Sequence, residues 1–223
     1  MPEVIINGPE GRLECRYMPG NQPDAPTAII LHPEPNKRGT MNNRVTFALY
    51  KLFQARGFSV LRFNFRGVGK SQGSYDNGEG ELADAATAMD WLQNQNPAST
   101  QCWIAGFSFG SWIGMQLMMR RPEITGFISI SPPAGTHDFT FLAPCPVSGL
   151  IVQGGENSQV SSDRILQLVD KISKQKGVTI DVGIIEEANQ FFSAHLNEAM
   201  EAVSKYVDGR TTKMNDSTQK LIG

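Results

Sequence analysis

A serine flanked at two residues on either side by glycine, Gly106-Phe107-Ser108-Phe109-Gly110, follows the apolar run Cys102 to Phe107 and precedes a stretch of helical period from Trp112 to Met119. A chain that passes from buried strand to helix in so few residues must turn sharply, with the serine at the apex in a strained backbone conformation. Only residues without a side chain let strand and helix approach closely on either side of it. This segment fixes a strand-turn-helix unit near mid-chain and places a hydroxyl at its tip.

The remaining sequence repeats the alternation. Apolar runs at 3–7, 12–18, Thr27 to Leu31, Phe58 to Phe65, Phe127 to Ile130, Leu150 to Val152 and Val178 to Ile185 read as strands. Between them lie helical stripes: Val45, Ala48, Leu49, Leu52 and Phe53 ending at Gly57; Leu82, Ala85, Ala86 and Met89; and Ile165, Leu166, Val169 and Ile172, with Ser162 as the expected cap. A last helix carries Leu196, Met200, Val203 and Val207. Strands without polar alternation, separated by amphipathic helices, predict an α/β domain whose mostly parallel sheet is covered on both faces. One domain over residues 1–207 is expected, with 208–223 a polar, non-periodic tail.

Composition narrows the partners. With 20 basic and 22 acidic residues and a formal charge of -2, the chain has no electrostatic attraction for nucleic acid or an anionic membrane. No run approaches the roughly eighteen apolar residues of a membrane helix, and the N-terminus lacks the pattern of a secretory signal, so a cytoplasmic location is expected. Cys15, Cys102 and Cys145 are odd in number and widely spaced, which predicts reduced, buried thiols. No metal and no cofactor is expected. Gly69-Lys70-Ser71 imitates the end of a phosphate loop, but Asn64 stands where that loop needs a glycine.

Two further segments carry a resemblance. His32-Pro33-Glu34-Pro35-Asn36-Lys37-Arg38-Gly39-Thr40-Met41-Asn42-Asn43 and Arg62-Phe63-Asn64-Phe65-Arg66-Gly67-Val68-Gly69-Lys70-Ser71-Gln72-Gly73, together with the serine turn, resemble the small, lidless bacterial α/β-hydrolases of the dienelactone hydrolase and serine-peptidase branches. The likeness spans roughly residues 3–207 and implies an eight-stranded twisted sheet with a nucleophile at Ser108. It also implies an acid after the seventh strand and a histidine after the eighth. Here those stretches read Gly154-Gly155-Glu156-Asn157-Ser158 and Ala188-Asn189-Gln190-Phe191-Phe192, so Asn157 occupies the acid position and Gln190 the histidine position.

The replacements matter chemically. A serine hydroxyl is a poor nucleophile until a neighbouring base takes its proton. Asn157 is isosteric with Asp but neutral, and Gln190 can share a hydrogen bond but has no basic nitrogen. The expected oxyanion donors are the backbone N–H of Phe109 and, because Pro33 and Pro35 have none, that of Glu34. Of the three histidines, His32 is the nearest by topology and the possible substitute base, with backbone bonding as its other reading. His137 beside Asp138 reads as a rim residue, and His195 as too far along the last helix. Phe107, Phe191 and Phe192 are expected to line the pocket.

The connection from Ser131 to Val147 is too short for a lid domain, which predicts a shallow, open pocket. Two functions follow. One is an impaired hydrolase that binds a small carbonyl or ester-like ligand, or a protein partner. The other is an active serine ester hydrolase using Ser108 with His32 or water as base. The sequence leaves the oligomeric state open.

Overall fold

A computed structural model describes residues 3–222, with side chains described over 3–211. The elements in chain order are β1 (Glu3–Gly8), β2 (Gly11–Met18), β3 (Thr27–Leu31), α1 (Arg44–Ala55), β4 (Ser59–Phe63), α2 (Glu79–Gln95), β5 (Cys102–Phe107), α3 (Phe109–Met118), β6 (Ile124–Ile130), β7 (Gly149–Gly154), α4 (Ser162–Ile172), β8 (Ile180–Ile185) and α5 (Leu196–Ile222). One eight-stranded sheet runs in the order β1-β2-β4-β3-β5-β6-β7-β8. β1 and β2 pair antiparallel, β2 joins β4 antiparallel, and every pairing from β4 through β3 to β8 is parallel.

The sheet is parallel because each inner strand is apolar on both sides and needs a helix on each face. Every residue of β3, β4, β5 and β7 is buried. Ile29, Leu31, Ile104, Phe127 and Ile151 pack with Ala85, Met89, Ile113, Met115 and Ile165 from α2, α3 and α4. Ala28, Ile30, Trp103, Phe107, Ile128 and Val152 pack on the opposite face with Val45, Leu49 and Phe53 of α1 and Ala199, Val203 and Val207 of α5. Trp103 anchors that second layer, fully buried and within 6.1–6.4 Å of the Phe53, Phe58 and Tyr206 rings.

Three details differ from expectation. Ser161, not Ser162, caps α4, its hydroxyl accepting from Arg164 N at 3.3 Å. The helix after the serine turn begins at Phe109 rather than Trp112. And α5 does not stop at Val207: the helix continues to Ile222, across the stretch expected to be a non-periodic tail. Once the first turns of a helix are packed, polar residues extend it at one hydrogen bond each. Thr211 adds a bond from Oγ1 back to Val207 O at 2.8 Å.

Between β6 and β7 the chain forms only a short 3-10 turn at Thr140–Leu142, with no lid domain. Among the described residues no helix is long and apolar enough to cross a membrane. Chain order places β4 on one side of β3 and β5 on the other, so the winding reverses between β3 and β5. Ligands of open α/β sheets bind at the carboxyl ends of the strands at such a reversal. Ser108 follows β5 there.

Candidate active site

Ser108 sits at φ 51° and ψ -121°, a conformation that costs an L-residue about 1–3 kcal/mol and persists only when its surroundings impose it. They do. Ser108 N donates to Ile130 O of β6 at 2.8 Å, and Ser108 O accepts from Ser111 N at 2.9 Å and Ser111 Oγ at 2.6 Å. A Cβ at Gly106 would stand 2.4 Å from Gly110 O, and one at Gly110 would stand 2.5 Å from both Leu31 O and His32 O. The two glycines are therefore steric requirements of the turn. The next ring, Phe109, is held by Phe65, Tyr75 and Trp112 at 5.7–6.0 Å, which fixes where the Phe109 amide points.

The loop after β3 is built to the same standard. Glu34 O accepts from Lys37 N and Gly39 N, and a Cβ at Gly39 would stand only 1.9 Å from Pro33 O. The residues of β4 and its extension brace this loop. Arg62 Nη1 donates to Met41 O at 2.6 Å and Asn42 Oδ1 at 2.7 Å, and Asn64 Oδ1 accepts from Met41 N at 2.8 Å. Arg62 is itself held about 5 Å from the centres of the Phe47 and Tyr50 rings. Asn43, at the loop's end, caps α1 by accepting from Val45 N at 3.0 Å. The amides of Glu34 and Phe109 make no hydrogen bond among the described residues.

His32 belongs to this bracing. Its ring is fully buried, Nδ1 lies 2.6 Å from Pro33 O, and Nε2 accepts from Phe65 N–H at 3.0 Å. That pair of bonds assigns the neutral tautomer with the proton on Nδ1. Burial, opposed only by the Pro33 carbonyl, pushes its pKa down to about 4. The expectation that His32 could serve as substitute base is thereby corrected, because both nitrogens are engaged by backbone and neither reaches Ser108. His137 and Asp138 are not an acid-base pair either: His137 Nδ1 lies 2.9 Å from Thr136 Oγ1, and the Asp138 carboxylate accepts from Thr140 N and Oγ1. His195 contacts Glu198 at 2.8 Å, at the start of α5.

A cavity of about 150 Å³ opens above Ser108. Glu34, Asn157, Gln190, Phe107 and Phe191 line it with Ser108, so the fold brings together residues drawn from four separate loops and strand ends. No histidine is among the lining residues. Ser108 Oγ and the Gln190 side-chain amide form no hydrogen bond among the described residues. Asn157 is 7% exposed, and its Oδ1 accepts from Gln159 N at 2.9 Å and Val160 N at 3.2 Å. The amide oxygen thus shapes its own loop. Phe191, 56% exposed, stands at the mouth with its ring 6.5 Å from Phe107. Phe192 corrects the sequence expectation: it is fully buried in the α1 and α5 layer, turned there by its own φ of 51°.

Residues 12–176 match the model of the X-Pro dipeptidyl-peptidase (S15) family. The chain belongs to that family of α/β-hydrolases. It is 50% identical over 211 residues to an uncharacterized protein of Rickettsia prowazekii, covering 93% of this chain and 89% of that one. A crystal structure of a protein of unknown function from Agrobacterium tumefaciens, described as a candidate α/β hydrolase, superposes with a TM-score of 0.93 at 53% identity over 95% of this chain and 97% of its own. A lidless serine hydrolase from Xanthomonas campestris superposes with a TM-score of 0.79 at 30% identity, over 93% of each chain.

Several lining residues of this α/β-hydrolase escaped the sequence reading. Ser131, at the end of β6, has φ 44°, donates N–H to Val152 O at 2.8 Å and donates Oγ–H to Gln190 O at 3.1 Å, which ties the elbow strand's neighbour to the β8 loop. Its position immediately before Pro132-Pro133 was the available signal, since a strand end before two prolines cannot continue as helix. Lys37, Arg38 and Gln159 also line the cavity. Their loops were identified from sequence, but which loop side chains converge depends on the register of β3 against β5 and of β6 against β7.

Proposed function

We propose that this chain is a non-hydrolytic member of its family whose pocket binds a small carbonyl or ester-like ligand without turning it over. One observation carries the reading: an amide, Gln190, stands at the cavity wall where a proton acceptor is needed, and no imidazole lines that cavity. Loss of the general base in a serine hydrolase costs on the order of 10⁶ in turnover, as known for subtilisin. Positioning and oxyanion donors alone leave about 10³–10⁴ over water. The unbonded amides of Glu34 and Phe109 support donors of that kind, which would hold a carbonyl oxygen while the hydroxyl beside it stays protonated.

A second reading, slow hydrolysis of small esters at Ser108 with water as base, is supported by the intact strained turn and the two free amides. A protein partner at the pocket mouth is supported by the exposed Phe191 ring. A cytoplasmic location is supported by three free, buried thiols, of which Cys15 is pushed up to about 12 and Cys102 to about 11 by burial.

A fluorophosphonate probe at neutral pH tests the main reading. Ser108 is expected to stay unlabelled over minutes, as judged by intact mass. Rapid stoichiometric labelling that Ser108→Ala abolishes would establish an activated nucleophile and sink the proposal.

A further inference from the structure

The charge of the cavity wall specifies the ligand more narrowly than its shape does. Among the lining residues only Glu34, Lys37 and Arg38 are charged, for a formal sum of +1. The Glu34 carboxylate is matched by Lys37 Nζ at 2.9 Å, which leaves the Arg38 guanidinium without a salt-bridge partner among the described residues. Arg38 is an exposed lining residue whose backbone is set by φ 61° and by its N–H donating to Pro35 O at 3.0 Å.

The neutral side chains point the same way. In the family pattern the Asn157 position carries a carboxylate, 7% exposed in this fold, that would repel an anion at the elbow. Asn157 removes that charge while its oxygen still shapes the loop. Gln190 contributes an amide with no hydrogen-bond partner among the described residues, and the Phe109 amide is at the N-terminus of α3, a helix of 10 residues whose dipole favours negative charge there, while the unbonded Glu34 amide belongs to the loop after β3. An ester carbonyl would use these donors at a fraction of their strength, because hydrogen bonds to an ionised oxygen are roughly twice as strong as those to a neutral one.

Resting on the reading above, we propose that the natural ligand class is a small monocarboxylate, held in its ground state with one carboxylate oxygen at the Ser108 hydroxyl and the Glu34 and Phe109 amides and the anion facing Arg38. Size limits the rest of the molecule. A cavity of about 150 Å³ falls below the roughly 300 Å³ at which drug-sized ligands begin, and an apolar cavity of about this volume holds one benzene ring. The apolar wall formed by Phe107, Phe191, Pro133 and Val160 accepts that body. The site has become complementary to the charge that its family develops only in the transition state.

Titration calorimetry of the full chain at pH 7 tests this with benzoate as probe and methyl benzoate and benzamide as uncharged isosteres. Benzoate is expected to bind one site per chain at least about tenfold more tightly than either isostere. Arg38→Ala and Asn157→Asp are each expected to weaken benzoate about tenfold and leave benzamide unmoved. Asn157→Asp preserves the loop, since a carboxylate oxygen accepts the same two amides, so it reports charge rather than folding. Equal affinity for acid and isosteres, no benzoate binding, or benzoate affinity unmoved by either substitution overturns the inference. Hydrolysis of methyl benzoate during the titration overturns the non-hydrolytic reading instead, so the two failures are separable.

Discussion

The two halves of the pocket are made to different standards. On the β3-β5 side, the Ser108 turn and the loop from His32 to Asn43 are over-determined: glycines that cannot bear a Cβ, a histidine with both nitrogens bonded, and Arg62 and Asn64 bracing the loop from β4. On the β7-β8 side, Asn157 serves its own turn and the Gln190 amide makes no hydrogen bond among the described residues. Residues on the first side stabilise the fold and the site together, so the fold itself preserves them. On the second side an amide or carboxylate oxygen at 157 shapes the turn equally well and the Gln190 amide makes no hydrogen bond among the described residues, so the charge at 157 and the side chain at 190 can change without disturbing the scaffold.

The strongest way to break that contrast is to place a histidine and an aspartate at the two positions where the resemblance implies them. Gln190→His combined with Asn157→Asp is expected to raise hydrolysis of a simple aryl acetate by about 10²–10⁴-fold, the usual contribution of a positioned general base. The strained serine turn and the unbonded Glu34 and Phe109 amides are what support the expected gain. A rate unchanged within threefold, with the melting temperature preserved, would mean that the β3-β5 side has drifted as well.

His32 gives the next largest effect, in stability rather than rate. Its pKa is pushed down to about 4 in the fold against 6.5 in the unfolded chain, so the unfolded state binds the extra proton as pH falls between those values. The stabilising share is fully present above about pH 6.5 and is lost on acidification toward pH 4, to a limit of about 3 kcal/mol. Urea unfolding at pH 7 and pH 4.5 measures it, and His32→Gln should flatten the dependence by most of that amount. An unchanged pH slope in the variant would remove His32 from the bracing set.

How much was legible in sequence follows the same division. The α/β alternation, both buried central strands β3 and β5 and the serine turn were readable because each is local: periodicity and a glycine spacing. What failed was decided by distant atoms. Phe191 and Phe192 are adjacent, yet the positive φ at 192 sends one ring to the mouth and the other into the core. His32 had two readings, backbone-bonded or substitute base, and its partners Pro33 O and Phe65 N, the latter just beyond β4, decide for the first and against the second. The α5 boundary was misplaced because its continuing residues are polar, and hydrophobic period carries no signal once the buried stripe ends.

The smallest effects discriminate most finely within the β7-β8 side. Asn157→Ala removes the acceptor of two backbone N–H groups at a buried position and is expected to cost about 1–3 kcal/mol, the desolvation penalty of donors left without a partner. Gln190→Ala is expected to cost less than about 0.5 kcal/mol, because only the Gln190 backbone oxygen is used, by Ser131 Oγ, and alanine keeps that oxygen. Chemical unfolding of the two variants side by side reads the difference directly. If Gln190→Ala were the more destabilising of the pair, its amide would be a structural strut, and the glutamine at 190 would answer to a demand of the fold. If the order holds, the side chain at 190 answers only to what enters the cavity, which is the position a ligand-selecting residue must occupy.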